Sequence, residues 1–142
     1  MQQMSNNKGT WRTFSTADGL PGMQLVHLAE DAEGYLWIGT WAGGACRYDG
    51  DQFETFTTAA GLPSNRVHYI YLDRRDRLWL VTDDGLCWWD GHTFHHVATE
   101  GAPPSFICEA KDGQLYLGGS KLMGYYDSMQ ERFCDLLPAY QQ

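Results

Sequence analysis

The chain is short of positive charge: 10 Lys and Arg stand against 18 Asp and Glu, a formal net charge of -8. No basic run occurs, which speaks against a nucleic-acid surface or adhesion to an anionic membrane. No apolar run approaches the roughly 20 residues of a membrane-spanning helix, so direct membrane insertion is not expected. The opening MQQMSNNKGT lacks the apolar segment of a secretory signal, so an export signal would have to lie outside this sequence. The 4 cysteines form no C-x-x-C pair and no zinc spacing; neither a metal site nor a cofactor is expected. No G-x-S-x-G elbow is present and no cysteine has a catalytic setting, so catalytic residues are not expected either. Apolar residues nowhere recur with a period of 3.6, which excludes helices longer than a turn.

What is present is a repeat. DAEGYLWIGTWAGGACRYDG at Asp31 to Gly50 returns as DRRDRLWLVTDDGLCWWDG at Asp73 to Gly91, and more loosely as AKDGQLYLGGSKLMGYYD at Ala110 to Asp127. Trp37, Trp79 and Tyr116 occupy one position of the unit, and Tyr48-Asp49, Trp89-Asp90 and Tyr126-Asp127 close it. A period near 40 residues with several short apolar runs per unit is the signature of propeller blades.

Taken in order, residues 1–10 read as a disordered polar tail and 11–142 as a partial propeller, with units at about 11–52, 53–93 and 94–137. Trp11 to Phe14 alternates like a short strand, and Ala17 to Pro21 reads as a turn. The first unit then offers strands at Gln24–Glu30, Tyr35–Thr40, Ala45–Tyr48 and Phe53–Thr57. The second offers Arg66–Leu72, Arg77–Thr82, Leu86–Trp89 and Phe94–Val97. The third, where Glu100 to Pro104 replaces the Gly-Leu-Pro turn, offers Ser105–Glu109, Gln114–Gly118, Leu122–Tyr126 and Arg132–Leu136. The predicted class is all-β: three four-stranded antiparallel blades plus an extra N-terminal outer strand.

FSTADGLP at Phe14 to Pro21, EDAEGYLWIGT at Glu30 to Thr40 and GGACRYDG at Gly43 to Gly50 resemble the two-component regulator propeller repeat. Such repeats build the sensory ectodomains of bacterial hybrid histidine kinases and related regulators. The resemblance implies a non-catalytic, ligand-sensing segment, periplasmic or at the cell envelope if it is part of such a sensor. Two alternatives stand beside it: an oligomeric propeller serving as a carbohydrate-binding or protein-interaction module, and a lyase on a propeller scaffold like the streptogramin lyases. The lyase reading needs a His/Glu cluster at the channel mouth, and only His27 and His68 lie on inner strands, at non-equivalent positions.

Three blades do not close a ring, since known rings have roughly four to eight. Closure is therefore expected from a longer chain or from self-association, with a dimer of six blades favoured and Trp11 to Phe14 lent to a blade of the partner. On that view deletion of residues 1–14 weakens association.

Alternating strand direction puts the loop from second to third strand and the lead into the next first strand on one face. Trp41, Asp83, Asp84 and Lys121 lie there, bordered by Met23, Gln24, Asn65, Arg66 and Ser105. Trp41 has no aromatic counterpart in the other units. The candidate ligand-binding set is Trp41, Asp83, Asp84, Lys121, Gln24 and Arg66, for a small molecule or carbohydrate. His92, His95 and His96 read as a solvated edge rather than a metal site. The recurring Asp residues read as turn caps, and Cys46 and Cys87 as small buried hydrophobes at equivalent positions that do not meet.

Overall fold

Short runs of alternating apolar residues, broken by Gly, Asp and Pro, can satisfy their backbone amides only by pairing with one another. In the computed structural model, which describes residues 11–21, 24–99, 104–120 and 122–136 (Leu122 through its backbone alone), they form three four-stranded antiparallel sheets. The first holds β1 (Leu25–Glu30), β2 (Leu36–Thr40), β3 (Ala45–Tyr48) and β4 (Phe53–Phe56). The second holds β5 (Val67–Leu72), β6 (Leu78–Thr82), β7 (Gly85–Trp89) and β8 (Phe94–Val97). The third holds β9 (Phe106–Glu109), β10 (Leu115–Gly119), β11 (Leu122–Asp127) and β12 (Arg132–Asp135). Strands follow chain order in every sheet, and the sheets do not close on one another into a ring.

Side chains alternate across each strand, so each blade offers two faces and stacks only if both are apolar. Trp37, Ala45 and Phe56 on the first blade pack against Ile70, Leu80, Cys87 and Phe94 on the second. Trp79, Val81, Leu86 and Val97 on the second pack against Ile107, Leu117, Tyr126 and Phe133 on the third. Trp37 and Trp79 are both 0% exposed, each wedged between its own blade and the next. Cys46 and Cys87 are buried free thiols, and burial pushes the Cys87 thiol up to about 12.

The lead into each of the first two blades is a 3-10 turn, Thr16–Asp18 and Thr58–Ala60. Ser15 and Thr57 cap the starts, and Gly19 and Gly61 end them at φ of 112° and 109°, which glycine alone adopts freely. Leu20 and Leu62 then tuck onto equivalent spots of blades one and two.

The expected outer strand at Trp11 to Phe14 does not form: residues 11–15 have no sheet pairing, and Trp11 is 99% exposed. Alternation sets which way side chains point, but a strand also needs a neighbour to take its amides. The segment packs instead on the first blade of its own chain. Phe14 lies 5.2 Å from Tyr48 and 5.4 Å from Phe53, much as Phe56 lies 5.1 Å from Trp89 and 5.7 Å from Phe94. The segment sits where the outer strand of a preceding blade would sit. The disordered tail expected at residues 1–10 lies outside the described residues.

Candidate functional site

The β2–β3 loop is shaped by three residues. The buried Thr40 hydroxyl donates to the Gly44 carbonyl at 2.8 Å and accepts the Gly43 N–H at 2.9 Å. Gly44, at φ of 84°, leaves room where a Cβ would lie 2.2 Å from the Phe56 carbonyl oxygen. Its N–H donates to the Asn65 carbonyl at 2.8 Å, tying the loop to the lead of the second blade. Trp41, 45% exposed, is thereby held across the junction of the first two blades.

Arg66 joins the two sides. Its guanidinium lies 4.1 Å from the centre of the Trp41 ring, and its Nε donates to the Trp41 carbonyl at 3.4 Å. Nη1 stands 3.1 Å from one oxygen of Asp83, whose other oxygen meets His68 Nε2. The resulting strip, Trp41, Arg66, Asp83 and His68, is half-exposed and drawn from both blades. Chemically it combines an aromatic plane, a planar forked donor and a carboxylate, which suits holding a ligand by stacking and hydrogen bonds. The Asp83 carboxylate faces both Arg66 and His68.

Of the predicted set, Trp41, Arg66 and Asp83 come together. Gln24 contributes its backbone carbonyl, which accepts the Trp41 N–H at 3.0 Å. Asp84 is an exposed turn residue whose N–H donates to Thr82 Oγ1 at 3.3 Å, and it stands apart from the strip's contacts. Lys121, like Met23, lies outside the described residues. His68 joins the strip unpredicted; its place one residue into β5, diagonal to the turn that carries Asp83, is the signal that would have found it.

His27 does a different job, as its non-equivalent position suggested. Its Nδ1 accepts the Ile70 N–H across the junction at 3.2 Å, and its ring stacks on Tyr69 at 4.3 Å. Burial lowers its pKa from 6.5. A lowered histidine pKa means that the unfolded chain binds the proton more tightly. The stability tied to neutral His27 is thus complete above about pH 6.5 and is lost as pH falls through the folded pKa below it. The urea midpoint should drop between pH 7.5 and 5.5, and drop less in His27→Gln; equal falls in both proteins would show that His27 is not the group responsible.

The GHTFHH histidines are engaged separately. His95 Nε2 lies 2.7 Å from Asp90 and the ring stacks on Trp88, while His96 meets the Gly61 carbonyl. The His95 contact first, then the Thr93 and His92 N–H groups, hold the Asp90 carboxyl below its usual range. Among the described residues no three His, Cys, Asp or Glu gather as metal ligands.

The recurring Asp residues cap turns as expected, and two do more. Asp31 Oδ1 accepts the Glu33 and Tyr35 N–H groups, while Oδ2 accepts the Trp37 indole at 2.8 Å. Asp73 repeats this with Arg75, Arg77 and the Trp79 indole, again at 2.8 Å. The third unit carries Ala110 and Tyr116 at these places, losing both partners together.

Stacked four-stranded meanders with a polar-aromatic strip at one end of the inner strands define an arc of β-propeller blades. The family model described as two component regulator propeller matches residues 19–42 and 61–84, one stretch in each of the first two units. No match was found among curated protein sequences. One similar solved structure is the extracellular domain of the hybrid two component system BT3049 from B. thetaiotaomicron: TM-score 0.78, 22% identity, covering 89% of this chain and 18% of that one. Another is a catalytically inactive virginiamycin B lyase from Staphylococcus aureus with quinupristin: TM-score 0.65, 16% identity, covering 82% and 42%. A third is the extracellular domain of the one component system BT4673 from B. thetaiotaomicron: TM-score 0.51, 15% identity, covering 82% and 25%. These likenesses concern the fold, and the chain spans less than half the length of each. Among the described residues no helix is long and apolar enough to cross a membrane.

Proposed function

We propose that this arc is the ligand-sensing segment of a bacterial signal-transduction protein, acting at the cell envelope and without catalysis. The observation that carries the reading is the Trp41–Arg66–Asp83 strip, which bridges two blades and so would report a ligand as a change at their junction. An exposed indole beside a forked donor and a carboxylate suits a small molecule with one apolar face and several hydroxyls, such as a carbohydrate. Support for the sensing role also comes from the repeat family and from the extracellular regulator domain that the fold matches. The test is calorimetric titration of the whole chain with a panel of oligosaccharides. Trp41→Ala and Arg66→Ala should each weaken binding at least about tenfold, about 1.4 kcal/mol. An oligosaccharide that binds both variants as tightly as the parent chain would place the site elsewhere, and a panel without any binder would remove the carbohydrate reading.

The lyase reading keeps one observation in its favour, the His68–Asp83 pair on a fold shared with a lyase. Incubation with quinupristin, followed by mass spectrometry, should leave it intact. Turnover that disappears in His68→Ala would replace sensing by catalysis.

A further inference from the structure

The two end faces of the arc are of opposite kinds: the third blade's is open, while the first blade's is open at Leu28 and has Ile38 and Cys46, 4% and 0% exposed, packed with Leu20 and Phe14. On the first blade Leu28, Ile38 and Cys46 form a row across three strands, as Ile70, Leu80 and Cys87 do on the second. Where the first blade covers it, Ile70 is 1% exposed; its uncovered counterpart Leu28 is 55% exposed. At the other end, the third blade turns outward the face that on blades one and two carries Trp37 and Trp79. It bears Phe106, Cys108, Tyr116, Gly118 and Met123 around a hollow of about 430 Å³. Phe106 and Met123 are each about half exposed. At both internal junctions the Trp-bearing face of a blade seats the Leu/Ile row of the next, which ends in Cys87 on the second blade and in Gly124 on the third. Among the described residues the Trp-type face of the third blade is unused and the Leu/Ile face of the first is used only in part.

We propose that the outward face of the third blade seats the first blade of a second copy, and that two copies close head to tail. Each copy then uses both faces, the existing junctions continue without a new kind of contact, and six blades fall within the range of closed rings. A head-to-tail contact that did not close would grow into filaments, whereas the closed pair stops at two copies. The structure also revises how the N-terminal segment takes part. The third blade already owns a fourth strand, β12, with Phe133 buried 1% exposed, so no vacancy exists for a lent strand. By repeat position Leu136 corresponds to Phe56, and Phe14 occupies on the first blade the place that Leu136 of the incoming copy needs. Residues 11–14 therefore compete with the second copy rather than joining it.

Light scattering on the full chain should give twice its mass of 16.1 kDa. Leu28→Asp and Met123→Asp alter exposed positions on opposite ends, so both should fold, as circular dichroism would verify, and each alone should run as a single copy. Mixed in equal amounts they should regain the double mass, because one junction between them is intact. Truncation before Ser15 should tighten association several-fold. A single-copy parent chain, a ladder of higher masses, a mixture that stays single, or loss of association on truncation would each overturn the proposal.

Discussion

Asp73→Ala is expected to lower folding stability by about 3–5 kcal/mol, the range for breaking a buried charged network by removing one partner. The Asp73 side chain is fully buried. One oxygen accepts the Arg75 and Arg77 N–H groups, both at 2.9 Å, and the other accepts Arg77 Nε at 2.7 Å and the Trp79 indole at 2.8 Å. Alanine would strand these donors at the closed end of a hairpin, with the Arg77 side chain still only 17% exposed. Asp31→Ala should cost less, about 1–3 kcal/mol, because Tyr35 stands where Arg77 does and no guanidinium is left behind. Urea denaturation measures both. Equal losses would show that the ion pair contributes nothing beyond the turn and the indole, and a loss below about 1 kcal/mol at Asp73 would sink the network altogether.

Trp37→Ala and Trp79→Ala should each cost about 3–5 kcal/mol, the usual range for truncating a large buried aromatic. Trp37 stacks on Phe56 at 5.2 Å and tilts against Trp89 at 5.4 Å; Trp79 meets Tyr126 edge-on at 4.9 Å. Each ring therefore fills a junction between blades, and the void would loosen two sheets at once. Trp41→Ala is the control: its ring is half-exposed, and its loss should stay within about 0.5 kcal/mol. A tryptophan at the repeat position that proved as dispensable as Trp41 would mean that the units had been aligned wrongly.

The blades were legible because the repeat constrains them twice over. One Trp in one unit could pack anywhere, but Trp37 and Trp79 in equivalent frames must occupy equivalent places between stacked sheets. The same logic separated Trp41, which breaks the repeat, and directed attention to the end of the arc where Arg66 and Asp83 meet it. What the sequence hid are contacts that depend on register. The Asp–Trp bond spans six residues around a hairpin, so Asp31 and Asp73 read as turn caps while half of each carboxylate serves the core. His68 reads from the sequence as an inner-strand residue without a partner, and the bulge in β5 between Val67 and Tyr69 leaves it facing Asp83. Trp11 to Phe14 had the alternation of a strand without a neighbour to pair with, a lack that no single segment reveals.

Exchange of the tryptophan indole protons with deuterium, followed by nuclear magnetic resonance, tests the central claim most directly: that Asp-latched tryptophans join successive blades. The Trp37 and Trp79 protons, buried and bound to Asp31 and Asp73, should exchange only through wide opening of the blades. Those of Trp11 and Trp41, on exposed rings, should be gone within the dead time. Slow signals from Trp37 and Trp79 that quicken in Asp31→Ala and Asp73→Ala respectively are the predicted result; indole protons that all exchange at one fast rate would contradict it.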